Sequence, residues 1–95
     1  MTTPEGKLKA YLVKRSRELG LYAYKLSFEN RRGAPDWMVC GNGKLCFIEL
    51  KTSSGVLSAA QKKVLAELGT SSGCRVWVCR TENQIDGALA GLCYV

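Results

Sequence analysis

The chain contains no histidine. That absence removes the Ser-His-Asp and Cys-His nucleophiles, the His-Glu-x-x-His zinc helix and any histidine general base. Hydrolytic chemistry, if present, has to rest on carboxylates, lysine, tyrosine or a metal ion held by oxygen. No apolar run approaches the roughly 20 residues that span a bilayer, and the N-terminal stretch MTTPEGKLKAYL has no continuous apolar core of a signal peptide. The expected setting is therefore a cytosol, with no membrane partner. The five cysteines (Cys40, Cys46, Cys74, Cys79, Cys93) form no C-x-x-C pair. Their odd number, the lack of histidine and the ample apolar content argue against both a disulfide framework and a zinc site. They are expected to be reduced, mostly buried thiols acting as small hydrophobes. Internal repeats, linkers and low-complexity segments are also lacking.

What is present suits one compact domain over residues 1–95, at 46% hydrophobic and 23% charged residues. The net charge is +6 and uneven. Residues 1–35 carry eight basic and three acidic side chains, whereas residues 36–95 are nearly balanced with six against five. A basic first third points to a polyanion partner.

Local signals divide the chain into seven elements in the order α-β-β-β-α-β-α. Thr3-Pro4-Glu5 opens a helix predicted from Pro4 to Leu19, ended by Gly20. Its apolar stripe of Leu8, Leu12 and Leu19 also includes Glu5. The aromatic-rich run Leu21–Phe28 predicts a strand, followed by a basic loop with Arg31, Arg32, Gly33 and Pro35. Asp36–Cys40 and Lys44–Lys51 predict a hairpin turning through Gly41–Gly43. Ser58–Gly69 predicts a helix with a Ser58/Gln61 capping box and a closing Gly69. Residues 74–80 predict a strand, and Thr81–Leu92 a helix with a Thr81/Gln84 box. A helix between the third and fourth strands implies a right-handed crossover and a parallel pair there.

The stretch KLCFIELK raises the chemical question. Side chains alternate along a strand, so Glu49 and Lys51 share one face while Cys46, Ile48 and Leu50 share the other. Antiparallel pairing brings the start of one hairpin strand beside the end of the next. Asp36 is thereby expected near Glu49 and Lys51. Two carboxylates at one sheet end repel unless a cation separates them. Oxygen ligands suit magnesium, with water and phosphate oxygens completing its shell. Lys51 adds a point charge beside them.

These residues carry a resemblance. Pro35-Asp36, twelve intervening residues and Glu49-Leu50-Lys51 match the pattern of the PD-(D/E)-x-K nucleases. Within that superfamily the chain looks most like the virus-type replication–repair nuclease (VRR-NUC) domain. The likeness extends to Glu5 early in the first helix, PDW opening the second strand, the Leu57-Ser58-x-x-Gln61 helix start and the apolar fourth strand. It implies an α/β, restriction-endonuclease-like αβββαβ core with a C-terminal helix and a mixed central sheet. It also implies a metal-dependent endonuclease acting on Holliday junctions or other branched DNA, as a homodimer, and a phage-like origin with work in a bacterial cytoplasm.

By that resemblance Asp36 and Glu49 bind Mg²⁺, for which Mn²⁺ substitutes, and the Leu50 carbonyl completes the protein ligands. Lys51 orients or deprotonates the attacking water, Gln61 positions lysine or water, and Glu5 serves a second metal or its water. Gln61 equally fits the cap of its own helix, and Glu5 the positive end of the first helix. Arg31 and Arg32, just before Asp36, are candidates for phosphate contact together with Lys7 and Lys14. Trp37 and Trp77 are expected in the core. The rival reading is a non-catalytic DNA-binding module that retains the fold.

Overall fold

The computed structural model describes residues 3–29 and 31–93; Asn30 of the basic loop lies outside them. The elements are α1 (Pro4–Glu18), β1 (Tyr22–Lys25), β2 (Trp37–Gly41), β3 (Lys44–Leu50), α2 (Ala59–Ser71), β4 (Arg75–Cys79) and α3 (Glu82–Cys93). The four strands form one sheet in the order β1-β2-β3-β4. The first two pairings are antiparallel and β3–β4 is parallel, as the crossover through α2 requires. This is the α/β class and element order that the sequence predicts. No helix among the described residues is long and apolar enough to cross a membrane.

The β2–β3 hairpin turns on Asn42-Gly43, with Gly41 paired to Lys44. Asn42 (φ 55°) and Gly43 (φ 75°) take the two left-handed positions of a two-residue turn. The Asn42 side-chain amide donates to the Leu92 carbonyl at 2.7 Å, tying the turn to α3. One face of the sheet carries the core. Val39, Cys46, Ile48 and Leu50 are buried there beneath Leu8 and Leu12 of α1 and Ile85, Leu89 and Leu92 of α3. Trp37 is buried and Trp77 packs against the same cluster. Cys46 and Cys79 lie inside it, and burial pushes their thiols up to about 11 and about 12. Helix α2 lies on the opposite face against β4, where Gly69 approaches Val76.

Two predicted boundaries and one predicted face need correction. The first strand stops at Lys25 rather than Phe28. After Lys25 pairs with Trp37, only the Leu26 N–H reaches back, to the Asp36 carbonyl at 2.9 Å. The next residue of the partner strand is Pro35, which has no N–H to continue a ladder. Helix α2 runs past Gly69 to Ser71, where the Ser72 N–H and hydroxyl both donate to the Leu68 carbonyl. On α1 the buried stripe is Leu8, Leu12 and Ser16, and Glu5 is exposed. Glu5 falls in the first turn, before the helix has met the sheet.

Candidate active site

The hairpin register decides the site. Trp37 pairs with Ile48, so the residue before Trp37 falls opposite the residue after Ile48. Those residues are Asp36 and Glu49. The Asp36 carboxylate bends around the strand end. Its Oδ1 accepts from the Leu50 N–H at 3.3 Å, and its Oδ2 lies 3.5 Å from Lys25 Nζ. Glu49 is 6% exposed and faces the side of the sheet that carries α2. Burial first, and the Asp36 charge second, push its carboxyl up to about 7. Lys51, the Asp36 N–H and Lys25 pull the other way.

Lys51 Nζ stands 4.0 Å from Glu49 Oε2. Its backbone is pinned, since the Lys51 N–H donates to the Cys79 carbonyl at 3.0 Å. Beyond it the loop is held by Arg80, whose guanidinium donates to the carbonyls of both Thr52 and Gly55. Gly55 leaves room for the Lys51 stem, because a Cβ there would come within 3.4 Å of Lys51 Cδ.

Gln61 does two things at once. Its Oε1 accepts from the Ser58 N–H at 2.9 Å, completing a capping box in which the Gln61 N–H donates to Ser58 Oγ at 3.1 Å. Its Nε2 donates to Glu49 Oε2 at 3.4 Å. The cap fixes the rotamer, and the fixed amide turns its free end to the carboxylate.

Glu5 does not join this pair directly. It lines a cleft of about 270 Å³ with Lys9, Lys25, Asp36, Trp37 and Leu50. Among the described residues no group of three or more His, Cys, Asp and Glu side chains converges as a metal cage. The donor set is instead two carboxylates and a neighbouring main-chain carbonyl. Such hard oxygen donors, few in number, fit an ion that keeps most of its water. Burial and the neighbouring Asp36 charge both make the ionised form of Glu49 costly, and a positive charge beside the pair would offset that cost.

The proposed DNA contacts scatter. Lys7 and Lys14 are exposed on α1. Arg32 is exposed, but Arg31 is paired with Glu67 of α2 at 2.6 Å. Sequence reasoning missed Lys9, Lys25, Gly33 and Arg80. Lys9 had a signal, standing four residues after Glu5 on the same helical face. Lys25 had none, because only the structure ends the first strand there.

Neither a family model nor a curated protein sequence matches the chain. A solved structure described as a VRR_NUC domain superposes with a TM-score of 0.82 at 30% identity, covering 94% of this chain and 97% of that one. This chain belongs to the VRR_NUC family. Hjc, a Holliday junction resolvase from the archaeal hyperthermophile Archaeoglobus fulgidus, matches with a TM-score of 0.57 at 18% identity. The match covers 76% of this chain and 64% of the resolvase, and at that identity it speaks for the fold alone. Asp36, Glu49 and Lys51 of this VRR_NUC domain thus sit at one sheet end, with Gln61 reaching in from α2.

Proposed function

We propose that the chain is a divalent-metal-dependent, structure-selective DNA endonuclease, hydrolysing phosphodiester bonds in Holliday junctions or other branched DNA. The observation that carries this is the buried Glu49 carboxylate, set opposite Asp36 and flanked by Lys51 at 4.0 Å and Gln61 at 3.4 Å. Asp36, Glu49 and the Leu50 carbonyl would hold Mg²⁺, or Mn²⁺ in its place. Such an ion supplies Lewis acidity that activates water and offsets charge developing on the phosphate.

The chain's own residues do the rest. Lys51 presents a fixed positive charge to the anionic substrate and orients the attacking water. Gln61 restrains Glu49 so that its carboxylate stays turned toward Asp36. Glu5, across the cleft, is proposed to steady a second ion or its water. Arg32, Lys7 and Lys14 would meet the phosphate backbone, whose contacts fix register without reading sequence. Membership of the VRR_NUC family and the fold shared with a junction resolvase support branched DNA as substrate.

The working form is proposed to be a homodimer. On the face opposite the core, Tyr22, Cys40 and Leu45 lie in one row, and Tyr24, Met38 and Phe47 in the next. Tyr22, Tyr24 and Leu45 are exposed, and neither row holds a lysine, arginine or carboxylate. A chain of net charge +6 repels its own copy, so a surface free of fixed charge is where two copies can meet. Two-fold symmetry would present two sites to a four-way junction.

The test is cleavage of synthetic four-way junctions, flaps and plain duplex with Mg²⁺ or Mn²⁺. Wild type is expected to cut branched DNA, and Asp36→Asn, Glu49→Ala and Lys51→Ala to lose at least about a hundredfold in rate. Absence of any cleavage by wild type, or full activity in Lys51→Ala, refutes the reading.

A further inference from the structure

Lys25 is an unusual surface lysine. Its side chain is 55% exposed, yet its head is held in two ways. Nζ lies 3.5 Å from Asp36 Oδ2 and 5.5 Å from the centroid of the Trp37 ring. Trp37 is 4% exposed, so the ring is a rigid platform and not a mobile flap. The ion pair itself is exposed and long, and such pairs contribute little to stability. The ring is an independent hold on the ammonium. The Trp37 ring is thus a second partner of Lys25, at the mouth of the cleft shared with Lys9 and Glu5.

Asp36 is also a carboxylate that the nuclease reading assigns to the metal. A divalent ion at Asp36 and the Lys25 ammonium would compete for the same carboxylate charge. We propose that Lys25 is a resident counter-cation of Asp36 that a divalent ion displaces, and that the released ammonium takes a backbone phosphate of the DNA strand next to the scissile one. The inference rests on the nuclease reading for the metal, and adds to it a residue outside the Asp-Glu-Lys pattern. The exchange keeps the carboxylate balanced before loading. It also makes a DNA contact available only once the ion is in place. Arg31 is paired instead with Glu67 of α2.

Two measurements separate the steps. In the first, Mn²⁺ is titrated by calorimetry into wild type, Lys25→Met, Lys25→Arg and Lys9→Met, without DNA. Lys25→Met is expected to bind Mn²⁺ about two- to fivefold tighter than wild type, because the competing cation is gone. Lys25→Arg should stay near wild type, and Lys9→Met should shift less than Lys25→Met. In the second, binding of a four-way junction is followed against salt in a Lys51→Ala background, which keeps the metal ligands but not the catalytic cation. With Mn²⁺ present, Lys25→Met should lower the magnitude of the log K against log salt slope by about 1, and without Mn²⁺ by much less. A saturable wild-type Mn²⁺ site whose affinity is unchanged or weakened in Lys25→Met overturns the counter-cation role alone. A salt slope that changes equally with and without Mn²⁺ overturns the exchange. A wild type with no saturable Mn²⁺ site overturns both this inference and the metal reading beneath it.

Discussion

Glu49 is a buried acid with a charged neighbour, and that combination sets its pH behaviour. Its carboxyl is pushed up to about 7, chiefly by burial. The folded chain therefore holds this proton more tightly than the unfolded chain, where glutamate titrates near 4.5. The stability it contributes is full below about pH 4.5 and is lost as pH rises through 7. Without metal, Glu49→Gln is expected to be more stable than wild type at pH 8, by roughly 1–3 kcal/mol, and equal to it near pH 4.5. Thermal melts at the two pH values check this, and an equal gap at both would falsify the assignment. On the metal reading proposed above, the same proton would have to leave before an ion binds. Mn²⁺ affinity should accordingly rise up to about tenfold per pH unit below 7 and level off above it.

At the scale of elements, the site is a meeting of one hairpin, one helix start and one loop. Gly33 is the joint. Its φ is +87°, and a Cβ there would lie 2.5 Å from the Ala60 carbonyl carbon and 2.7 Å from the Gln61 nitrogen. Gly33→Ala must therefore push the basic loop off the first turn of α2 and disturb the amide that faces Glu49. The expected cost is about 2–4 kcal/mol, with cleavage reduced as well. Gly43→Ala is the matched control, since its φ of +75° is strained but nothing lies within 4 Å of the added atom. It should cost only about 1 kcal/mol and leave cleavage intact. Urea midpoints of the two variants test the contrast.

The same scale explains what was legible in the sequence. Asn42-Gly43, the Ser58/Gln61 box and the alternation through β3 are local, and each appears in its expected place. The Thr81/Gln84 box appears in altered form. Gln84 donates its N–H to Thr81 Oγ1, but its side-chain oxygen takes the Arg80 N–H, one residue earlier than a standard box. Local propensity could not tell that Pro35 shortens the first ladder, because the shortening is imposed by a partner strand ten residues away. It could not find Arg80 either. That side chain acts on Thr52 and Gly55 only because β4 runs parallel beside β3.

For the whole molecule, the second face of the sheet is only partly covered. Helix α2 packs chiefly on β4 and touches β3 through Gln61 at Glu49, leaving Tyr22, Tyr24 and Leu45 open to solvent on β1 to β3. Sedimentation should find wild type as a dimer, and Tyr24→Asp or Leu45→Glu as folded monomers, since neither position is buried. A monomeric wild type rejects this surface as the contact. Sequence by itself determined the element order, the mixed sheet and the opposition of Asp36 and Glu49. All of these follow from periodicity, turn chemistry and hairpin register, which act over short distances along the chain. Tertiary structure alone decided that Gln61 both caps its helix and touches Glu49, that Arg31 is engaged by Glu67, and that Lys25 stands between Asp36 and Trp37. Those are contacts between elements, and the free energy that selects them comes from how helices and strands cross, which no single stretch of residues encodes.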